Sequence, residues 1–228
     1  MRPSPDHWDS VWRGTEVTLP HDTVLSTIRK LHVETILEVG AGSGADIDAL
    51  DREGYRVSFA DFSKEAAAKF AIRRPDVPTY LLDTRVLPFA DNTFDLVFSL
   101  GLLEHFSEEE RALVLGEQFR VARRYLLVDV PQKYAAAYPI KKLMMALGKW
   151  PYGDETQFSY WELKAEIGRV LPQARVRSQY GRELVPLPRR WKNRVYRLVP
   201  NVAREQYVGS HRYLATAIGG SFGLVLEK

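Results

Sequence analysis

Apolar residues recur along the chain in two alternating rhythms. Short runs rich in β-branched and aromatic residues, bounded by glycine, proline or acidic residues, fall at 36–39, 55–60, 78–82, 96–100 and 125–130. Runs this brief, with such borders, read as buried strands. Between them lie segments with apolar residues every three or four positions, which read as helices. Val24, Leu25, Ile28 and Leu31 share one face of a helix over 22–31, and a polar–apolar run predicts another over 45–50. An alanine-rich segment at 63–73 starts on Ser63, a good N-cap. Ser107 and Glu110 form a Ser-x-x-Glu capping box, and the helix it opens is expected to turn Leu113, Leu115, Phe119 and Val121 towards a sheet. A helix is expected over 134–147. A second capping box at Ser159–Glu162 opens a helix to Leu171, and strands follow at 175–180 and 221–226. Strand and helix in alternation predict an α/β, doubly wound sheet with helices on both faces.

Length and composition narrow this picture. At 228 residues the chain reads as a single domain over 1–228: an N-terminal helical cap over 1–32, a core over 33–131, and insertions at 132–160 and 186–212. There is no cysteine, so disulfides, thiolate metal sites and a cysteine nucleophile are excluded, and no metal site is expected. The N-terminus lacks the apolar centre of a signal peptide, and no stretch approaches the roughly 18 apolar residues of a membrane span. A cytoplasmic protein is the expectation. The net charge of +3 is unevenly spread: residues 171–213 hold ten Lys/Arg against two Asp/Glu, which leaves 22 against 27 elsewhere. Arg190, Arg194 and Arg197 recur at helical spacing beside Trp191, Val195 and Leu198. That pattern suits peripheral contact through 189–197 with an anionic membrane surface or an anionic acceptor, or a solvated face.

The densest chemistry lies at 34–46. The run Ile36-Leu-Glu-Val39 leads into Gly40, Gly42 and Gly44 and then into a helix. Strand, glycine turn and helix together build a nucleotide site at a strand's carboxyl end. The spacing Gly40-x-Gly42-x-x-Ala45 also fits the dinucleotide fingerprint, so the glycines alone leave NAD and other adenosine cofactors open. Asp61 ends the second strand, seventeen residues past Gly44, where a carboxylate can accept both hydroxyls of a ribose. Asp83 ends the third strand and can accept from an exocyclic amine, with the Thr84 N–H near a ring nitrogen. His105 follows the fourth strand, as a general base or as a residue packed at a helix start. Trp8 and Trp12 precede any strong periodic element and need something to pack on; a docked helix and a lid over a pocket both answer that need.

In the pattern Glu38-x-Gly40-x-Gly42-x-Gly44, the glycine stretch resembles motif I of the class I S-adenosylmethionine-dependent methyltransferases. The run Leu87-Pro-Phe-x-Asp-x-x-Phe-Asp95 resembles the segment before strand four in their small-molecule members, such as the ubiquinone and menaquinone biosynthesis enzymes. The resemblance covers about residues 34–130. It implies a Rossmann-like sheet of about seven strands, mostly parallel, with an antiparallel last strand. It implies S-adenosylmethionine as cofactor, S-adenosylhomocysteine as product, and methylation of oxygen, nitrogen or carbon on a small-molecule or lipid-linked acceptor. The cofactor contacts it implies are Glu38, Gly40, Ala41, Gly42, Gly44, Asp61, Phe62, Asp83, Thr84, Arg85, Leu100 and Gly101. His105 is the implied base, and the acceptor side is assigned to Trp8, Trp12, His105, Tyr134 and Trp150. Nucleic acid is not expected: Ser99-Leu-Gly-Leu stands where enzymes that methylate exocyclic amines on DNA bases carry Asn/Asp-Pro-Pro-Tyr, and the thiol route to C5-pyrimidine needs a cysteine. The alternatives are a nicotinamide-dependent oxidoreductase and a non-catalytic domain that binds the same cofactor.

Overall fold

A computed structural model describes residues 4–135, 138–148, 150, 152–153, 155–182 and 220–228. Among these residues, seven strands form one sheet in the order β3-β2-β1-β4-β5-β7-β6. They are β1 (Thr35–Val39), β2 (Arg56–Asp61), β3 (Thr79–Leu81), β4 (Phe94–Leu100), β5 (Ala122–Pro131), β6 (Arg175–Arg182) and β7 (Ser221–Glu227). The pairs β1–β2, β1–β4, β2–β3 and β4–β5 are parallel, and β7 runs antiparallel between β5 and β6. The expected doubly wound sheet is therefore present, with its antiparallel last strand. The chain order reverses between β1 and β4, which leaves a crevice at their carboxyl ends.

The helices are α1 (Pro5–Arg13), α2 (Asp22–Ile28), α3 (Ala45–Arg52), α4 (Lys64–Arg73), α5 (Glu108–Val121), α6 (Tyr138–Ala146) and α7 (Tyr160–Val170). Two apolar clusters lie on the two faces of the sheet. One joins Val24 and Ile28 of α2, Ile47 and Leu50 of α3 and Phe70 of α4 to Ile36, Phe59 and Phe98. The other joins Val114, Leu115 and Phe119 of α5 and Leu163 and Ile167 of α7 to Leu37, Val97, Leu126 and Leu224. Both capping boxes form as the sequence predicts, on α5 and α7, and Ser63 Oγ accepts from Ala66 N to cap α4. One helix face needs correction. Leu113 is 56% exposed, and Val114 takes the inward place beside Leu115, Phe119 and Val121. At 3.6 residues per turn, positions 114, 115, 118, 119 and 121 subtend one stripe, and Leu113 falls outside it.

The motif at 87–95 is a structural clamp. Leu87 and Phe94 are buried in the core, while Asp95 accepts from the N–H groups of Glu34 and Thr35 at 3.0 and 3.1 Å and binds Arg123 at 2.8 Å. Arg120 donates to the carbonyls of Leu87 and Phe89 and to Asp91. These bonds fix where β4 begins and hence where its far end meets the crevice.

Candidate active site

Beyond the carboxyl ends of β1, β2, β4 and β5 lies a cavity of about 820 Å³. The turn after β1 forms its first wall. Gly40, Gly42 and Gly44 all adopt positive φ, at +72°, +53° and +71°, which side-chain-bearing residues rarely hold. The three glycines then diverge in role. Gly40 and Gly42 line the cavity, and a Cβ on Gly42 would meet the Trp12 indole at 2.4 Å. Gly44 does not line it. A Cβ there would lie 2.3 Å from Phe70 Cδ2, so this glycine lets the start of α3 pack against α4.

Carboxylates dominate the neighbouring wall. Glu38 is 3% exposed, and its Oε2 has no hydrogen-bond partner among the described residues. Burial first, and then the nearby Asp46 and Asp61 carboxylates, push the Glu38 carboxyl well above its ordinary range. Asp61 accepts from Gly42 N and Ser63 N, both at 2.8 Å. Burial raises its pKa against the pull of those two N–H groups. One N–H on each oxygen leaves each with further lone-pair capacity. Asp46, in the first turn of α3, accepts from His21 N and pairs with His21 Nδ1, each at 2.7 Å. Asp83 is engaged by Arg85, whose Nη2 lies 2.6 Å from Oδ2 and which also reaches Glu110 at 2.9 Å. The guanidinium holds the Asp83 carboxyl below its usual range.

Ala41, Phe62, Thr84, Leu100 and Gly101 also line the cavity, together with Asp61, Asp83 and Arg85. Gly101 N donates to Asp129 O at 2.9 Å, which ties the end of β4 to that of β5. His105 ends a 3-10 turn, Leu103–His105, and its ring meets Trp8 edge-on at 4.8 Å. The α1 helix reconciles the two readings of its tryptophans. It is docked on α4 through Asp9 with Ser63 Oγ at 2.7 Å, Arg13 with Glu65 at 3.2 Å, and Lys69 Nζ with the Trp12 and Arg13 carbonyls at 2.7 Å. Its Trp8 and Trp12 nevertheless form part of the cavity wall, and Trp150 lies there too.

Tyr134 does not join them. It is 65% exposed and outside the lining, because Gln132 bridges to Phe158 and the turn at 133–134 faces outward; Ala135 lines the cavity instead. The basic segment 189–197 lies outside the described residues. Sequence reasoning passed over Asp46, Asp129, Tyr152, Glu155 and Arg182, all of which line the cavity. Asp129 lies two residues before the end of β5 and Arg182 ends β6, two residues past the strand expected from sequence, so the signal that singled out Asp61 and Asp83 did not reach them. Tyr152 and Glu155 sat in the turn-rich stretch after Trp150.

Residues 37–125 match the family model described as a methyltransferase domain. Over that segment the chain is similar to methyltransferase domains. A demethylmenaquinone methyltransferase of Renibacterium salmoninarum is 32% identical over 100 residues, which is 44% of this chain and 41% of that protein. The chain thus spans about two fifths of the length of that relative. Among solved structures, the magnesium protoporphyrin IX methyltransferase of Synechocystis PCC 6803 with bound S-adenosylhomocysteine superposes with a TM-score of 0.58 at 15% identity, over 98% of this chain and 82% of that one. A Rhodobacter sphaeroides protein carrying a zinc-dependent alcohol dehydrogenase name superposes at 0.66 and 14% identity, over 98% of both chains. Both likenesses show the fold alone. Among the described residues, no helix is long and apolar enough to cross a membrane.

Proposed function

We propose that the domain transfers a methyl group from S-adenosylmethionine to a small-molecule acceptor. The observation that carries this reading is the buried Glu38 Oε2, which has no partner among the described residues, set among Asp46 and Asp61 at the glycine turn. Buried carboxylates gathered in this way call for a cation. S-adenosylmethionine brings an ammonium group and an electrophilic sulfonium methyl. A dinucleotide would bring a pyrophosphate to the start of α3, where Asp46 and Asp48 already supply negative charge in the first turn.

In this reading Glu38 meets the ammonium group, directly or through water, and Asp61 accepts the ribose hydroxyls on its remaining lone pairs. The backbone at Gly40 and Gly42 allows close approach. Thr84 and the Asp83–Arg85 pair face the adenine, with Ala41 and Phe62 beside it, and Leu100 and Gly101 border the passage to the acceptor. Trp8 and Trp12 exclude water, and Trp150 contacts the acceptor. His105 takes a proton where the acceptor must lose one before reacting. In-line displacement at a methyl group asks the protein chiefly to bind, orient and keep water out. That fits a cavity rich in binding groups. For the segment 189–197 we propose peripheral contact with an anionic membrane surface, supported by its charge and spacing alone.

Titration calorimetry with S-adenosylhomocysteine tests the site. Wild type is expected to bind one equivalent, and Asp61→Ala to lose about 1–3 kcal/mol. Equal affinity in the two proteins overturns the assignment.

A further inference from the structure

Four N–H groups of the glycine turn are already engaged. Gly40 N and Ala41 N donate to Ala60 O at 2.9 and 3.1 Å, Gly42 N to Asp61 at 2.8 Å, and Gly44 N to Ala41 O at 2.8 Å. The wall behind them carries Asp46, Asp61 and Glu38, whose buried Oε2 has no partner among the described residues. S-adenosylmethionine brings a zwitterion to this wall, because its ammonium and carboxylate groups stand on one carbon. Glu38 suits the ammonium. The carboxylate beside it is repelled by the same wall unless a donor meets it. With those N–H groups taken, side chains are left to supply that donor.

The segment between α1 and α2 brings such side chains to the turn. It lies along the turn in matched register: Thr18 meets Ser43 and His21 meets Asp46. Thr18, His21 and Ser43 all line the cavity. The Thr18 and Ser43 hydroxyls are 2.7 Å apart, and Thr18 N donates to Ser43 Oγ. The bond between the hydroxyls uses one of their two protons, so one O–H is left whichever of them donates. His21 is held twice by Asp46: its N and its Nδ1–H donate to the two carboxylate oxygens, each at 2.7 Å. Asp46 is 4% exposed, so this grip fixes the plane of the imidazole. The His21 side chain keeps 34% of its surface open, and its Nε2 carries no bond among the described residues. In the imidazolium form Nε2–H is a charge-assisted donor. The other basic side chains of the described lining stand elsewhere: Arg85 on Asp83 and Glu110, Arg182 on Asp129, and His105 against Trp8.

We propose that His21, oriented by Asp46, binds the carboxylate of the cofactor's amino-acid end through Nε2–H, with the spare Thr18 or Ser43 hydroxyl as a second donor. The inference rests on the methyltransferase reading above. Glu38 and His21 then hold the two charges of one zwitterion. The site thereby selects a cofactor that carries both groups over one that has lost its carboxylate.

Calorimetry with two ligands tests this: S-adenosylhomocysteine, and S-adenosyl-3-thiopropylamine, which keeps the ammonium and lacks the carboxylate. Wild type is expected to bind the first at least about tenfold more tightly. His21→Gln can keep a bond to Asp46 but carries no charge, and His21→Ala keeps neither. Both should bind the amine within about twofold of wild type, which also shows that they fold, while their preference for S-adenosylhomocysteine falls below about threefold. A merely structural role for His21 would weaken the two ligands alike. If wild type shows no preference, if both variants keep it, or if both ligands weaken equally in both variants, the inference falls and the methyltransferase reading stands. If wild type does not bind S-adenosylhomocysteine, that reading falls and takes the inference with it.

Discussion

Replacing Gly44 with alanine separates two roles that the glycine turn combines. At φ +71° an alanine bears backbone strain of about 1–2 kcal/mol. Its Cβ would also lie 2.3 Å from Phe70 Cδ2 and 2.4 Å from Cε2, well inside any real carbon–carbon contact. Phe70 is 1% exposed and stacks on Phe59 at 4.3 Å, so it has no room to retreat. Overpacking of this kind costs roughly 1–3 kcal/mol, for a total of about 2–5 kcal/mol. For a chain of this size that lowers Tm by roughly 10 °C. Gly42→Ala carries the same backbone strain, but its Cβ meets Trp12 on α1, which is only partly buried and can tilt away. It should therefore cost about half as much stability and weaken S-adenosylhomocysteine by about tenfold, or 1.4 kcal/mol. Thermal melts and calorimetry on both variants decide the matter. A Gly44→Ala melt within 1 °C of wild type, or a folded Gly44→Ala that loses more cofactor affinity than Gly42→Ala, refutes the division of roles.

Three further outcomes follow from the same geometry. Glu38 has a folded pKa above its unfolded value, so its contribution to stability is present below about pH 4 and is lost as pH rises through the folded pKa. Glu38→Gln should accordingly melt at or above wild type at neutral pH while binding S-adenosylmethionine at least tenfold more weakly; a lower Tm with intact affinity would contradict the assignment. On α5, Leu115→Ala should cost about 2–5 kcal/mol in chemical denaturation and Leu113→Glu less than about 0.5 kcal/mol, and the reverse order would restore Leu113 to the core. His105→Ala should lower methyl transfer by roughly 10²-fold if it removes the acceptor's proton, with cofactor affinity within about twofold of wild type; unchanged turnover leaves it a packing residue.

The parallel part of the sheet was legible because its strands are short apolar runs closed by glycine, proline or an acid, and the capping boxes at Ser107 and Ser159 mark where α5 and α7 begin. Leu113 was misjudged because apolar residues at 113, 114 and 115 overlap, and only the packed stripe selects among them. The carboxylates at strand ends were readable one at a time, as Asp61 and Asp83 show. Their environment was not: the engagement of Asp83 by Arg85 and the isolation of Glu38 depend on neighbours brought in by the fold. Gly44 sits in a motif whose spacing is shared by ligand contact and helix packing, and only the position of Phe70 separates them. Tyr134 lay in the right segment, but a single bridge between Gln132 and Phe158 turned it outward.

The most direct test of the central claim is competition at the glycine turn. S-adenosylhomocysteine and NADH are titrated separately and then against each other, followed by calorimetry and by nicotinamide fluorescence. Stoichiometric binding of S-adenosylhomocysteine, with NADH at least a hundredfold weaker and fully displaced, is the expected result. NADH binding as tight as S-adenosylhomocysteine, or tighter, would show that the carboxylates of Glu38, Asp46 and Asp61 do not select a cationic cofactor, and the account would fail.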